Sequence, residues 1–321
     1  MICLSKDEKC IAWSDFERKG FNSTYVLTIY HKQQEEEMTF STTMYCFASD
    51  WKEKKIDVEG YIKFCAEQKL EGVELVQYFW NDIDREVPLA KKLCSDLNLP
   101  VLSYDVGNNF AHADAKKRED QRAYVREGID VAAELGAPLM RVFGGSLRTA
   151  SSQSHHPGGA RTYGSSFPEG TPRSEILAVT AEDLKECASY AEGKGITFAI
   201  ENHGGIPEKS DEAVELLRLV DRPNVKALID TGNFLSSGDD PVEATRKLVD
   251  QAVMVHLKDY DKKLETGRWR YCILGQGLVD FNKIMSILRD ASFDGVLSIE
   301  YEGDLRSKGL VESIKYVRTL L

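Results

Sequence analysis

Four side chains able to bind a metal or move a proton stand at the ends of apolar runs. Glu201 closes "ITFAIE", Asp230 closes "VKALID", His256 closes "VMVH" and Glu300 closes "GVLSIE". A charge carried to the end of a buried run is costly unless it is paired or bound to a cation. Taken singly, each reads as a structural ion pair capping a strand. Taken together, three carboxylates and one imidazole form an oxygen-rich donor set with one borderline nitrogen. That set suits one divalent metal ion, Mn²⁺ first on grounds of softness, with Co²⁺, Mg²⁺ and Zn²⁺ as the alternatives. Three negative ligand charges against two positive leave the site slightly anionic and able to hold a neutral polyol.

The four must converge for any of this to matter, and the elements around them make convergence the expectation. From Met38 onward, short apolar runs alternate with segments of helical spacing. The expected strands are Thr39–Phe47, Gly72–Phe79, Pro100–Val106, Leu139–Phe143, Ile196–Asn202, Val225–Thr231, Val253–Lys258 and Gly295–Tyr301. Val58, Tyr61, Ile62 and Cys65 form one helical stripe, and Leu310, Ile314, Val317 and Leu321 another. Asp240-Pro241 reads as a cap and first-turn proline, Thr180 with Asp183 as a capping box, and Gly136 as a left-handed helix end. Eight strand–helix units over about 280 residues give a (β/α)8 TIM barrel. A doubly wound open sheet would usually carry a glycine-rich first turn, and Ala48-Ser49-Asp50-Trp51 has no glycine. In a barrel, the C-terminal strand ends meet at one mouth.

The expected organisation is therefore an α/β chain with residues 1–37 as an N-terminal extension and residues 38–321 as the barrel. Residues 1–37 mix charges and aromatics without periodicity, and Met38 reads as the natural start; the alternative is a loosely packed N-terminal segment. The segment Ser146–Pro172, rich in Ser, Gly and Pro, follows the fourth strand and reads as a lid over the mouth. His155-His156 within it reads as a solvated pair.

Composition narrows the function. With 41 basic and 52 acidic residues the net charge is −11, which disfavours nucleic acid as a partner. Seven scattered cysteines without a C-x-x-C fit a reduced, cytoplasmic chain. No apolar run reaches the roughly 20 residues of a membrane span, so no membrane partner is expected. Self-association into a homo-oligomer is left open.

Five segments in order carry a family resemblance: "AIENHGG" at 199–205, "LIDTGN" at 228–233, "VHLKD" at 255–259, "GQGLVDF" at 275–281 and "DGVLSIEYEG" at 294–303. From about Thr39 to the C-terminus the chain resembles the xylose isomerase-like TIM-barrel superfamily. That superfamily includes keto-sugar 3-epimerases, hydroxypyruvate isomerase, inosose dehydratase, dehydroshikimate dehydratase and endonuclease IV. The resemblance implies Glu201, Asp230, His256 and Glu300 as ligands of one divalent ion, with Glu201 and Glu300 doubling as acid and base on opposite faces of the substrate. The function it implies is a metal-dependent sugar isomerase or epimerase in carbohydrate metabolism, working through an enediolate on a small polyhydroxylated carbonyl compound. The alternative is a dehydratase or lyase on a cyclic polyol or keto-sugar, favoured by the Glu201-x-His203 pair. A nuclease would need more histidines at the strand ends, and a non-catalytic barrel would be expected to lack one of the glutamates.

Other positions refine this reading. His203, two residues past Glu201, is a candidate acid/base or substrate partner, against a histidine bonded to a loop carbonyl. Arg141 and Lys258 are candidate substrate-binding cations, against salt bridges. Asn233 stands where several epimerases and endonuclease IV carry the histidine of D-x-x-H. Glu74 faces the mouth if its register is inward. Gly275-Gln276-Gly277 has the look of a phosphate loop, but two glycines before a helix are common.

Overall fold

The computed structural model describes residues 2–3, 10–11, 38–147 and 167–321. The chain divides into two units, Met1–Met38 and Thr39–Leu321. In the first, Ile2–Cys3 pairs antiparallel with Cys10–Ile11. Most of Ser146–Pro172, with His155 and His156, lies outside the described residues.

The second unit is a (β/α)8 barrel. Its strands are β1 (Thr39–Thr42), β2 (Val73–Val76), β3 (Val101–Asp105), β4 (Leu139–Phe143), β5 (Thr197–Glu201), β6 (Val225–Asp230), β7 (Ala252–Leu257) and β8 (Val296–Ile299). Each is followed by a helix: α1 (Val58–Glu67), α2 (Ile83–Asp96), α3 (Ala115–Leu135), α4 (Arg173–Glu192), α5 (Ser210–Val220), α6 (Pro241–Leu248), α7 (Phe281–Asp290) and α8 (Arg306–Arg318). Neighbouring strands run parallel in the order β1-β8-β7-β6-β5-β4-β3-β2. The sheet closes between β1 and β2 through a parallel bridge from Thr43 to Glu74. Tyr61 stitches that seam from α1: its buried hydroxyl donates to the Thr42 carbonyl and accepts from the Glu74 amide at 3.2 Å.

Aspartates start five of the helices. Asp57, Asp82, Asp114, Asp240 and Asp280 each accept from a first-turn amide that has no partner inside the helix. Pro241 occupies the first turn of α6, where a missing N–H costs nothing. Gly136 ends α3 at φ +78°, open to a residue without Cβ. The stripe Val58, Tyr61, Ile62 and Cys65 is buried under α1, as are Leu310, Ile314 and Val317 under α8.

Two readings are corrected. Thr180 and Asp183 form no capping box; they lie inside α4, which begins at Arg173. Asp183 is buried and paired with Arg118 and Arg122 of α3, so it ties two helices together rather than starting one. Leu321 lies beyond the end of α8 and is exposed, whereas the rest of its stripe is covered.

Alternation along the strands divides the barrel interior into an apolar floor and a polar mouth. Leu139, Ala199, Leu228, Met254 and Val296 pack at the floor. Two residues on, each strand turns a polar side chain the same way: Arg141, Glu201, Asp230, His256 and Ser298, all buried. Parallel register sets Asp230 beside His256 and His256 beside Ser298. Among the described residues no helix is long and apolar enough to cross a membrane.

Candidate metal centre

The polar layer brings Glu201, Asp230, His256 and Glu300 together. One donor atom from each lies within 4.8 Å of the others, and all four residues are buried. The local backbone explains each placement. Asp230 ends β6 and accepts from the Asn233 amide at 2.8 Å through Oδ1, which leaves Oδ2 to face Lys258. Asn202 holds the same turn, accepting from the Asp230 amide at 2.8 Å and donating to its carbonyl at 3.1 Å. The Glu300 amide donates to the Leu257 carbonyl at 3.0 Å, which continues the β7–β8 ladder one residue past the strand.

A ring of partners surrounds the four. Glu74, inward on β2, sets Oε1 2.9 Å from His256 Nε2, and Ser298 donates to its other oxygen. His256 Nδ1 lies 2.9 Å from Glu300 Oε2. Asp105 hydrogen-bonds Glu74, and Ser103 donates to Asp105 at 2.9 Å. Arg141 sits in the wall, 3.3 Å from Glu201 Oε2 and 3.5 Å from Asp105 Oδ2. Lys258 reaches Asp230 Oδ2 at 2.9 Å and Glu300 Oε1 at 2.8 Å. A Cβ on Gly232 would stand 2.5 Å from Lys258 Cγ, so the glycine of "DTGN" makes room for the lysine stem. Asn233 donates to Glu201 Oε1 at 3.0 Å, filling the position of the D-x-x-H histidine with an amide.

Charge is distributed unevenly among these groups. Burial pushes Glu201 up to about 7, helped by the charges of Glu300 and Asp230 and opposed by Arg141 and His256. Burial works against the Glu300 charge too, but Lys258 and His256 outweigh it and hold that carboxyl well below its usual range. Burial raises Asp230. The Lys258 ammonium is disfavoured by burial and held by Asp230 and Glu300, well above the usual lysine range. Burial also opposes the Glu74 charge, but the facing imidazole holds the carboxyl down at about 2. Burial and the Glu74 charge push Asp105 well up.

His203 is exposed beyond the end of β5. Its ring packs on Phe143 at 4.5 Å between centroids, and the Arg141 guanidinium lies 4.2 Å from that same ring. The phosphate-loop look of Gly275-Gln276-Gly277 has an internal explanation. The amides of Tyr260, Gly275, Gly277 and Val279 all donate to the Asp259 carboxylate, at 2.9–3.1 Å, so a side-chain anion fills the nest.

Three residues of the site escaped the sequence reading. Asp105 ends an apolar run as the other four do, and the same rule would have found it. Glu302 and Tyr271 carry no such signal. Tyr271, on a hairpin of Tyr260–Lys263 and Trp269–Tyr271, donates to Glu302 Oε1 at 2.7 Å. Glu302 also hydrogen-bonds Glu300, and burial with the Glu300 charge pushes its carboxyl up to about 8.

The donor chemistry fits a divalent cation: three carboxylates and one imidazole, with Glu74 on the far ring nitrogen in the carboxylate–histidine arrangement common around metal-binding histidines. Comparison with known proteins agrees with this architecture. Inosose dehydratase from Clostridium perfringens (strain 13 / Type A) is 32% identical over 138 residues, covering 39% of this chain and 46% of that protein. The chain thus spans about half the length of the curated relatives it matches. A D-tagatose 3-epimerase-like protein superposes with a TM-score of 0.70 at 19% identity, covering 88% of this chain and 97% of that one. The IOLI protein, solved with a bound zinc atom, superposes with a TM-score of 0.66 at 16% identity, covering 88% of this chain and 96% of that one. At these identities the superpositions speak for the fold. The family model of the xylose isomerase-like TIM barrel matches residues 62–320, and the chain belongs to that family.

Proposed function

We propose that the chain is a metal-dependent enzyme that moves a proton on a small polyhydroxylated carbonyl compound through an enediolate, as a sugar isomerase or epimerase. The observation that carries this reading is the convergence of Glu201, Asp230, His256 and Glu300 into one buried donor set. These four would hold one divalent ion, Mn²⁺ by preference of the oxygen-rich set and Zn²⁺ as the alternative. The ion supplies Lewis-acid polarisation of a carbonyl and its neighbouring hydroxyl.

The protein's own groups do the rest. Glu201 and Glu300 sit in different surroundings, one beside Arg141 and Asn233, the other beside Lys258 and His256. Two carboxyls in unlike environments divide acid and base work. Glu300, held ionised, takes the proton at carbon, and Glu201, raised to about 7, returns one from the other face. Lys258, at the rim of the set, binds the substrate oxygen on which negative charge develops. Arg141 anchors Glu201 through its guanidinium from within the wall and lies beneath the substrate oxygens.

A second reading has its own support. The curated relatives include inosose dehydratases, and His203, two residues past Glu201 in the chain, packs its ring on Phe143. In that reading Glu201 removes the proton and His203 protonates a departing β-hydroxyl. One experiment separates the two: Mn²⁺-loaded protein is incubated in D₂O with ketoses and inososes and followed by NMR, for wild type and His203→Asn. Isomerase or epimerase chemistry gives deuterium incorporation without elimination, and His203→Asn keeps most of it. Dehydration gives an alkene or its keto tautomer, and His203→Asn loses roughly 10²–10⁴-fold. No exchange and no elimination on any compound, with metal bound, would overturn both.

A further inference from the structure

Asn233 is outside the four-residue donor set, yet its polar groups reach three different members of the site. It lies on the seven-residue helix Thr231–Ser237, which starts directly at the end of β6 with Asp230 as its cap. Its backbone amide donates to Asp230 Oδ1 at 2.8 Å and its side-chain nitrogen to Glu201 Oε1 at 3.0 Å. Its side-chain oxygen accepts from Lys258 Nζ at 3.4 Å. An ammonium only donates, so the carboxamide turns its oxygen to Lys258 and its nitrogen to Glu201; the flipped amide would set donor against donor.

The backbone under this side chain has little freedom. The cap pins the Asn233 amide, the Ser236 hydroxyl donates to the Asn233 carbonyl at 3.0 Å, and Phe234 beside it is fully buried. Gly232, before it, packs on the Lys258 stem. A donor rooted in a packed helix is presented at a fixed point. Glu201 needs such a point. The last torsion of a glutamate is broad, so its carboxyl turns until a directional contact stops it. Arg141 Nε stands 3.3 Å from Oε2 but without the alignment of a hydrogen bond. Among the described residues, the Asn233 carboxamide supplies the aligned hydrogen bond to this carboxyl.

We propose that Asn233 is the positioning residue of Glu201: its carboxamide fixes the rotation of the carboxyl group, and with it the direction of the oxygens that bind the ion and return the proton. The inference rests on the reading of Glu201 as ligand and proton donor, and it adds the residue that aims it. A carboxamide does not titrate, so Asn233 aims the carboxyl without itself passing a proton.

The test compares Asn233→Leu, which keeps the size and removes both side-chain hydrogen bonds, with Asn233→His, whose ring nitrogen donates from the same branch point. The full chain is stripped of metal and titrated with Mn²⁺ in competition with a chelator. Asn233→Leu should weaken Mn²⁺ binding roughly 10- to 100-fold, the loss typical of a residue that orients a ligand, and Asn233→His should recover most of it. Both variants keep the backbone amide on Asp230, so metal-free urea unfolding should stay close to wild type. With Co²⁺ in place of Mn²⁺, the visible absorption bands of Asn233→Leu should shift, reporting a changed coordination geometry. On any ketose or inosose that the wild type labels in D₂O, Asn233→Leu at saturating Mn²⁺ should lower kcat roughly 10- to 100-fold and leave KM in place. Wild-type affinity and Co²⁺ spectrum in Asn233→Leu, or an Asn233→His protein as weak as Asn233→Leu, would overturn the proposal. So would a loss of metal-free stability as large as the loss of affinity, which would make Asn233 a structural residue. A wild type inert toward every compound would fail the reaction proposed above, while the affinity ratio of the variants still decides the role of Asn233.

Discussion

Glu74 Oε1 and His256 Nε2 lie 2.9 Å apart, while the other ring nitrogen of His256 faces Glu300 at the same distance. The imidazole is therefore held at both ends, and its orientation toward the four-residue set is decided by a strand on the opposite side of the barrel. A carboxylate on the far nitrogen fixes the ring and makes the near nitrogen a better donor to a metal.

That relationship predicts a graded series. Glu74→Gln keeps a hydrogen-bonding group of the same size but removes the charge, and Glu74→Ala removes both. Metal affinity measured by competition with a chelator should fall roughly 10- to 100-fold in Glu74→Ala and less in Glu74→Gln, without loss of the barrel's circular dichroism. Unchanged affinity in a folded Glu74→Ala protein would show that His256 needs no support from β2.

Tyr61 predicts a stability effect separate from chemistry. Its hydroxyl joins the Thr42 carbonyl to the Glu74 amide across the closing seam. Tyr61→Phe leaves both backbone groups buried without that partner, at a cost of about 1–3 kcal/mol in urea unfolding. Because Glu74 is displaced only through its backbone, metal affinity should change far less than in Glu74→Ala.

His112 predicts an acid limb. Burial, with the nearby Lys117 charge, lowers its pKa to about 4. The unfolded chain takes up this proton near pH 6.5 and the folded chain only near pH 4, so the unfolded state binds more protons in between. Stability from this group is fully present above pH 6.5 and declines as pH falls toward about 4. Thermal unfolding of wild type against His112→Gln should converge with decreasing pH across that window. A parallel decline in both proteins would assign the acid sensitivity to other groups.

Much of this molecule is legible in its sequence because the barrel repeats one physical rule. Each parallel strand is covered on both faces, so a run such as "VKALID" is apolar until it emerges at the mouth, and the first charge marks the exit. The rule located Glu201, Asp230, His256 and Glu300, and its strand count matches the (β/α)8 barrel. It extends to Asp105, which ends "VLSYD" in the same way. It stops where register or tertiary packing decides. Glu74 lies within its strand, and only the pairing with β1 and β3 turns it inward. Thr180 and Asp183 have the spacing of a cap, yet α4 starts a full two turns earlier and uses Asp183 to bind α3. Glu302 and Tyr271 meet through a hairpin whose partner lies 31 residues away in the chain, a distance no local pattern spans.

The most direct test of the account is a metal titration of chelator-stripped protein with Mn²⁺, followed by calorimetry and elemental analysis, for wild type and for Glu201→Gln, Asp230→Asn, His256→Ala and Glu300→Gln. One ion per chain is expected in the wild type, and each of the four variants should lose at least tenfold in affinity, while His203→Asn keeps wild-type affinity. A wild type that takes up no ion, or four folded variants that all bind it as tightly as wild type, would contradict the central claim that these residues form one metal centre.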